Sequence, residues 1–170
     1  MSFLYIMPII VKNKDTLIFD DFVFKCCVGL GGFTKDKIEG DKKTPKGEFK
    51  LGNLYFRNDR NNRPETSLKT IVLKKNMGWC DDVNSKKYYN KLINIKSKVR
   101  HEKLFRRDFK YDYLIHIKYN CKKNKLGKGS AIFIHLTKNY NPTAGCIALS
   151  KKDFLILTKI IKRNTTIKIL

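Results

Sequence analysis

SAIFIHLTKNYNPTAGCIAL, Ser130 to Leu149, is the stretch on which the reading of the whole chain turns. Ala131 to Leu136 is a short apolar run rich in Ile and Phe, which predicts a strand with His135 near its end. Thr137 to Thr143, with Asn139, Asn141 and Pro142, predicts a polar turn. Gly145 and Cys146 follow, and a second apolar run begins at Ile147. A strand–turn–strand connection folds Cys146 back beside His135. A free thiol has a pKa of roughly 8.5, and a neighbouring imidazole lowers it by stabilising the thiolate. The pair therefore reads as nucleophile and base. Gly145 leaves room for a substrate carbonyl, and the Gly145 and Cys146 backbone N–H groups are candidates for an oxyanion hole. The competing explanation of the same two side chains is a buried apolar thiol and a satisfied core histidine.

The wider wording favours chemistry. Ile134-His135, followed by Thr143-Ala144-Gly145-Cys146-Ile147-Ala148-Leu149, resembles the active-site signature of the YkuD family of L,D-transpeptidases. In that family a strand histidine precedes a Ser/Thr-x-Gly-Cys turn. Upstream, Gly40-Asp-Lys-Lys-Thr-Pro-Lys-Gly-Glu-Phe-Lys-Leu-Gly52 is similar to the stretch in which the family carries a Gly-Asp, a Thr-Pro and a Gly-x-Phe. Two positions depart from the pattern. Ala144 stands where many members have a second histidine. Ala148 stands where many have an arginine able to grip a carboxylate. His135 is then the expected sole imidazole at Cys146, oriented by a backbone carbonyl or by the hydroxyl of Thr137 or Thr143. Its removal is expected to raise the Cys146 pKa toward the free-thiol value. A thiol label is expected to favour Cys146 over the other cysteines.

At 170 residues and 42% hydrophobic content, the chain fits one domain with a real core, spanning residues 1–170. The formal charge of +22 admits an anionic partner, whether nucleic acid, anionic lipid or an acidic wall polymer. It is also what a Lys-, Asn- and Ile-heavy composition gives with no partner at all. The basic residues are spread in doublets rather than clustered. The five cysteines, Cys26, Cys27, Cys80, Cys121 and Cys146, contain no CxxC pair and no zinc spacing. Met1 to Val11 is too short to span a membrane and lacks a signal peptide's basic start and cleavage site. It suits a first strand, and Met7 is a possible alternative start.

Pro8 to Lys12, Thr16 to Phe19 and Phe22 to Val28 predict a β-meander. Gly29-Leu30-Gly31-Gly32 reads as a flexible turn, not a dinucleotide fingerprint, because no helix follows. Gly40 to Gly47 is a polar loop stiffened by Pro45, and alternation from Glu48 to Phe56 predicts a strand. Arg57 to Ser67 is an exposed excursion, and Thr70 to Lys74 another strand. Trp79, Asp81 and Tyr88 lie in a short aromatic and acidic cluster that suits a cleft lining. His101-Glu102 lies in the basic stretch Lys96 to Lys110, which the resemblance implies borders the cleft, while Glu102 by its own surroundings reads as part of a solvated polar face. Tyr111 to Tyr119 alternates, with His116 and Leu114 opposite the Tyr113, Ile115 and Ile117 face. Ser150 with Asp153 predicts a helix start, Lys151 to Lys162 an amphipathic helix, and Thr165 to Leu170 a closing strand.

The fold expected is mainly β, with one clear helix, and the resemblance makes it a β-sandwich-like L,D-transpeptidase catalytic domain. The implied reaction is acyl transfer on peptidoglycan stem peptides through a thioester on Cys146. His135 serves as base, Gly145 and Cys146 N–H groups hold the oxyanion, and Trp79, Asp81, Tyr88 and Thr143 contact substrate. No metal or organic cofactor is needed, and no specific nucleic acid is expected. The same chemistry with water as acceptor gives a peptidase or L,D-carboxypeptidase. A basic nucleic-acid-binding module with a structural Cys146 is the rival from another class. The resemblance places the work in the periplasm or cell envelope of a bacterium, although the sequence shows no convincing signal peptide.

Overall fold

The computed structural model describes residues 7–170, so the Met1 to Ile6 part of the first-strand expectation lies outside the described residues. The opening meander forms as β1 (Ile9–Val11), β2 (Thr16–Phe19) and β3 (Phe22–Cys27), paired antiparallel in sequence order. Asp20 makes the tight turn at φ 53°, a left-handed conformation that Asp tolerates better than most residues. Two short strands, β4 (Phe33–Thr34) and β5 (Thr44–Pro45), pair parallel and fix the start of the polar loop. The ten-residue β6 (Gly47–Phe56) follows, with β7 (Thr70–Val72) parallel to its far end.

Three further strands form a separate sheet: β8 (Met77–Cys80) in the centre, flanked by β9 (Leu92–Asn94) and β10 (His101–Lys103). The chain then lays down β11 (Tyr113–Ile117), β12 (Phe133–Leu136), β13 (Ile147–Leu149), helix α1 (Lys151–Ile160) and β14 (Thr166–Ile169). Among the described residues the expectation of a mainly β domain with one helix holds.

The large sheet runs β11-β12-β13-β3-β2-β1-β14-β6-β7, and β11 also pairs with β6. Strand β6 makes that closure. Its first residues, Gly47 to Lys50, pair with β14, and its later residues, Leu51 to Phe56, pair with β11. One long strand thus passes from one sheet of a sandwich to the other, as sheet corners require. Between the sheets lies the main apolar core, built from alternate residues such as Leu17, Leu54, Ile115, Ile134 and Ile167. Helix α1 seals it with Phe154 and Leu157, and the Ser150 hydroxyl caps the helix by accepting the Asp153 N–H at 3.1 Å. Among the described residues no helix is long and apolar enough to cross a membrane.

A second apolar cluster lies on the opposite face of β11 and β12. It contains Trp79, Leu104, Tyr111, Leu114, Phe133 and Cys146. Period-two alternation decides which side chains reach it. On β12, Ile134 and Leu136 face the main core, so Phe133 and His135 face this second cluster.

Candidate active site

The connection between β12 and β13 differs from a simple hairpin, because the two strands are parallel. His135 pairs with Ala148 and Ile134 with Ile147. Cys146 therefore stands just before β13 on the same face as Ala148, and so on the same face as Phe133 and His135. The loop that makes this possible crosses over β3: the Thr143 N–H donates to Val28 O at 2.9 Å, and the Leu30 N–H to Thr143 O at 2.9 Å.

The Thr143–Cys146 turn is held by hydroxyls. Thr143 Oγ1 donates to Cys146 O at 2.6 Å and accepts the Gly145 N–H at 3.1 Å. Thr44, from the upstream motif, donates its hydroxyl to Gly145 O at 2.9 Å and accepts the Gly29 N–H at 2.8 Å. One threonine thus ties three segments together. Gly145 has φ +136°, and a Cβ there would come within 2.9 Å of Lys43 O. A Cβ on Gly29 would approach Lys42 O to 2.4 Å. Gly29 is thus a packing residue beneath the cysteine turn, where its sequence suggested only flexibility.

Cys146 and His135 are both about nine-tenths buried and line one cleft of about 420 Å³. The thiol donates to Ala131 O at 3.3 Å and accepts the Phe133 N–H at 3.4 Å. His135 Nδ1 lies 3.0 Å from Leu136 O. A carbonyl only accepts, so Nδ1 carries the proton and Nε2 keeps its lone pair. The expected backbone carbonyl is the orienting group.

The resting ionisation differs from the expectation. Burial pushes the Cys146 thiol up, the Glu102 charge adds to it, and the Phe133 N–H and Lys37 pull back, leaving it at about 12. Burial pushes His135 down, against its bond to Leu136 O and with the help of Arg106 and Lys110, to about 4. Both groups are neutral near pH 7. Removing His135 therefore cannot raise Cys146 toward a free-thiol value, because the thiol already lies above it. Nor is Cys146 the thiol that a label should reach first, since Cys121 is exposed and Cys146 is buried.

Of the expected substrate contacts, Asp81 lines the Cys146 cleft, where Arg100 Nε lies 3.1 Å from its carboxylate. Thr143 lines an adjoining cleft of about 340 Å³. Trp79 lines neither of these two clefts. It is 4% exposed, gives its indole N–H to Asn90 Oδ1 at 2.9 Å, and packs edge-on against Phe133. Tyr88 lines neither cleft, and the Lys87 ammonium lies over its ring. Tyr89, its neighbour, is the one buried behind the cleft wall, with its hydroxyl 2.5 Å from Glu39.

Glu102 borders both clefts, as the resemblance implies, and does not lie on a solvated face. It is half-buried and accepts the Tyr111 hydroxyl. Its carboxyl is raised by burial, against the Tyr111 and Arg106 contacts that favour its charge. Tyr111 also lays its ring against the His135 imidazole, 5.2 Å between centroids. Glu102, Tyr111, His135 and Ala144 line both clefts. Ala144 and Ala148 contribute little bulk there, and Arg106 and Lys110 stand in the adjoining cleft with Ala148.

A family model described as the YkuD L,D-transpeptidase catalytic domain matches residues 8–169. Among solved structures, the helical cell shape determining protein Pgp2 from Campylobacter jejuni is similar in fold, with a TM-score of 0.50 at 20% identity. That match covers 96% of this chain and 46% of the Campylobacter chain. No curated protein sequence matches.

Proposed function

Since the chain belongs to the L,D-transpeptidase catalytic-domain family, we propose that it carries out cysteine-dependent acyl transfer on peptidoglycan stem peptides in the cell envelope. The observation that carries this reading is the shared cleft of Cys146 and His135, with the His135 Nδ1 held by Leu136 O so that Nε2 is the base.

Because both groups rest neutral, the thiol proton moves to His135 Nε2 as sulfur attacks, rather than beforehand. The Sγ–carbon bond forms and the carbonyl π pair becomes an oxyanion. The Gly145 N–H is engaged by Thr143 Oγ1, which leaves the Cys146 N–H as the principal backbone donor to that oxyanion. Collapse expels the amine, which takes the proton from His135, and leaves a thioester on Cys146. An incoming amine then gives its proton to His135, attacks the thioester and displaces the thiolate, which is reprotonated. The two clefts meeting at His135 and Ala144 offer room for two peptide ends, which favours an amine over water as acceptor.

Incubation with purified stem peptides, followed by mass spectrometry, tests the proposal. Cross-linked product, with a thioester adduct at Cys146, is the expected result. Trimmed stems alone convert the reading to a carboxypeptidase. Unchanged stems with folded protein overturn it.

A further inference from the structure

Lys37 is the most deeply buried cation of the cleft. It is 4% exposed, and its ammonium lies 2.6 Å from Asp41 Oδ1. A buried ammonium costs several kcal/mol in lost hydration unless it is paired. Asp41 supplies the partner and is itself held by the Ile38 and Lys43 N–H groups at 2.9 and 2.8 Å. Burial works against the Asp41 charge, but these bonds and Lys37 outweigh it, so its carboxyl stays below the usual range. The ion pair alone does not explain the position, because a pair at the surface would avoid the burial.

Two glycines make room for this side chain. A Cβ at Gly129 would strike the Lys37 methylenes at 2.9 Å, and a Cβ at Gly145 would stand 3.6 Å from Lys37 Nζ. The ammonium thus lies near Gly145, the residue before Cys146. It lines the same cleft as Cys146 and as Ala131, whose carbonyl accepts the thiol proton. Among the described residues Asp41 is its one hydrogen-bond acceptor, so two of its three N–H bonds have no protein acceptor.

We propose that the Lys37 ammonium is a preorganised charge that stabilises the anion developing at Cys146, first on sulfur and then on the tetrahedral oxygen. This rests on the reading of Cys146 as nucleophile. Fixed charge in a water-poor site needs no reorganisation as the reaction proceeds, which is where electrostatic stabilisation is strongest. Asp41 aims the ammonium, and its own negative charge offsets part of the field that reaches the thiol. The direction of Lys37's influence on the thiol agrees, since it is among the groups that lower the Cys146 pKa.

The test is the rate of iodoacetamide alkylation at Cys146 between about pH 6.5 and 9.5, read by peptide mass spectrometry. Lys37→Met keeps the methylene stem and removes the charge. It should slow labelling at Cys146 about tenfold across the range, as a one-unit rise in thiol pKa would, and leave labelling at Cys121 unchanged. Asp41→Asn keeps an acceptor for the ammonium and removes its counter-charge, so labelling at Cys146 should quicken. A merely structural ion pair predicts equal slowing in both variants, and that result, or an unmoved rate in Lys37→Met, overturns the proposal. If Lys37→Met fails to fold, Asp41→Asn decides alone, with unchanged or slower labelling counting against it. Turnover in Cys146→Ala would instead sink the nucleophile reading, and the labelling rates would show whether Lys37 still tunes the thiol.

Discussion

At His116 and Cys121 the imidazole Nε2 and the thiol lie 3.8 Å apart, within hydrogen-bond reach of a sulfur. At His135 and Cys146 the thiol instead bonds to backbone, and the imidazole to Leu136 O. Burial drives both imidazoles down to about 4. What differs is the surroundings. His116 is packed beneath Trp79, 4.4 Å between ring centroids, and Cys121 is exposed. Cys146 stands on a turn clamped by Thr44 and Thr143, and faces a cleft that also holds the buried Lys37 ammonium near Gly145. Contact between a thiol and an imidazole is thus a poor marker of a site. A held backbone, room for a substrate and fixed charge are better ones.

The largest expected effect breaks the comparison outright. Cys146→Ala should abolish turnover on stem peptides with the fold intact, because a methyl group cannot form the thioester. Cys121→Ala should leave turnover unchanged. Product formation by mass spectrometry, with circular dichroism as a folding check, reads both. The reverse pattern would make the exposed pair the active one.

The two histidines sharpen it through pH. Each has a folded pKa of about 4, below the roughly 6.5 of an unfolded imidazole. Above pH 6.5 both states are neutral and neither histidine costs stability. As pH falls toward 4, only the unfolded chain takes protons, so stability is lost through that window. The loss is about 3 kcal/mol per histidine at most. His116→Gln should remove one share of this slope and leave turnover nearly intact. His135→Gln should remove a similar share and cost about a hundredfold or more in rate. Urea unfolding at a series of pH values measures the slopes. Equal loss of turnover in both variants would dissolve the distinction.

Much of this fold is legible in the amino-acid pattern because its strands are half-buried and alternate. Thr16–Phe19 is found at the expected bounds, and the Ser150 cap starts the helix where Asp153 suggested. The three-stranded sheet is not legible. Met77-Gly-Trp-Cys has no alternation, and His101-Glu-Lys is polar throughout, so neither announces a strand. The motif residues of the site are legible for the same reason that the turn is rigid: few residue types fit at Gly145 and Thr44. Its electrostatic surroundings are not. Lys37 stands among other charges in Lys35-Asp-Lys37, and Glu102 among lysines and arginines. Only long-range packing, by Gly129 and Gly145 on one and Tyr111 on the other, takes them out of water. The role of Gly29 is hidden likewise, since its need for a missing Cβ comes from Lys42 across the turn.

Glu102 gives the smallest and most specific effect. Its carboxylate is the largest charge contribution holding the Cys146 thiol up, after burial itself. It is therefore the counterpart of Lys37, and its neutral variant should act in the opposite direction. Glu102→Gln keeps an oxygen to accept the Tyr111 hydroxyl, so the ring against His135 should stay in place. It also leaves Arg106, 3.9 Å away and still held by Asp108 at 2.6 Å, with less opposing charge near the thiol. Alkylation of Cys146 should quicken about two- to threefold at neutral pH, as a pKa lowered by a few tenths of a unit would give. The gain should shrink in acid. Burial raises the Glu102 carboxyl, so on acidification the wild-type side chain takes up a proton sooner than an ordinary carboxylate and becomes as neutral as the variant. The two rates should then converge on acidification, and a constant ratio at every pH would mean that Glu102 acts on Cys146 through shape and not through charge.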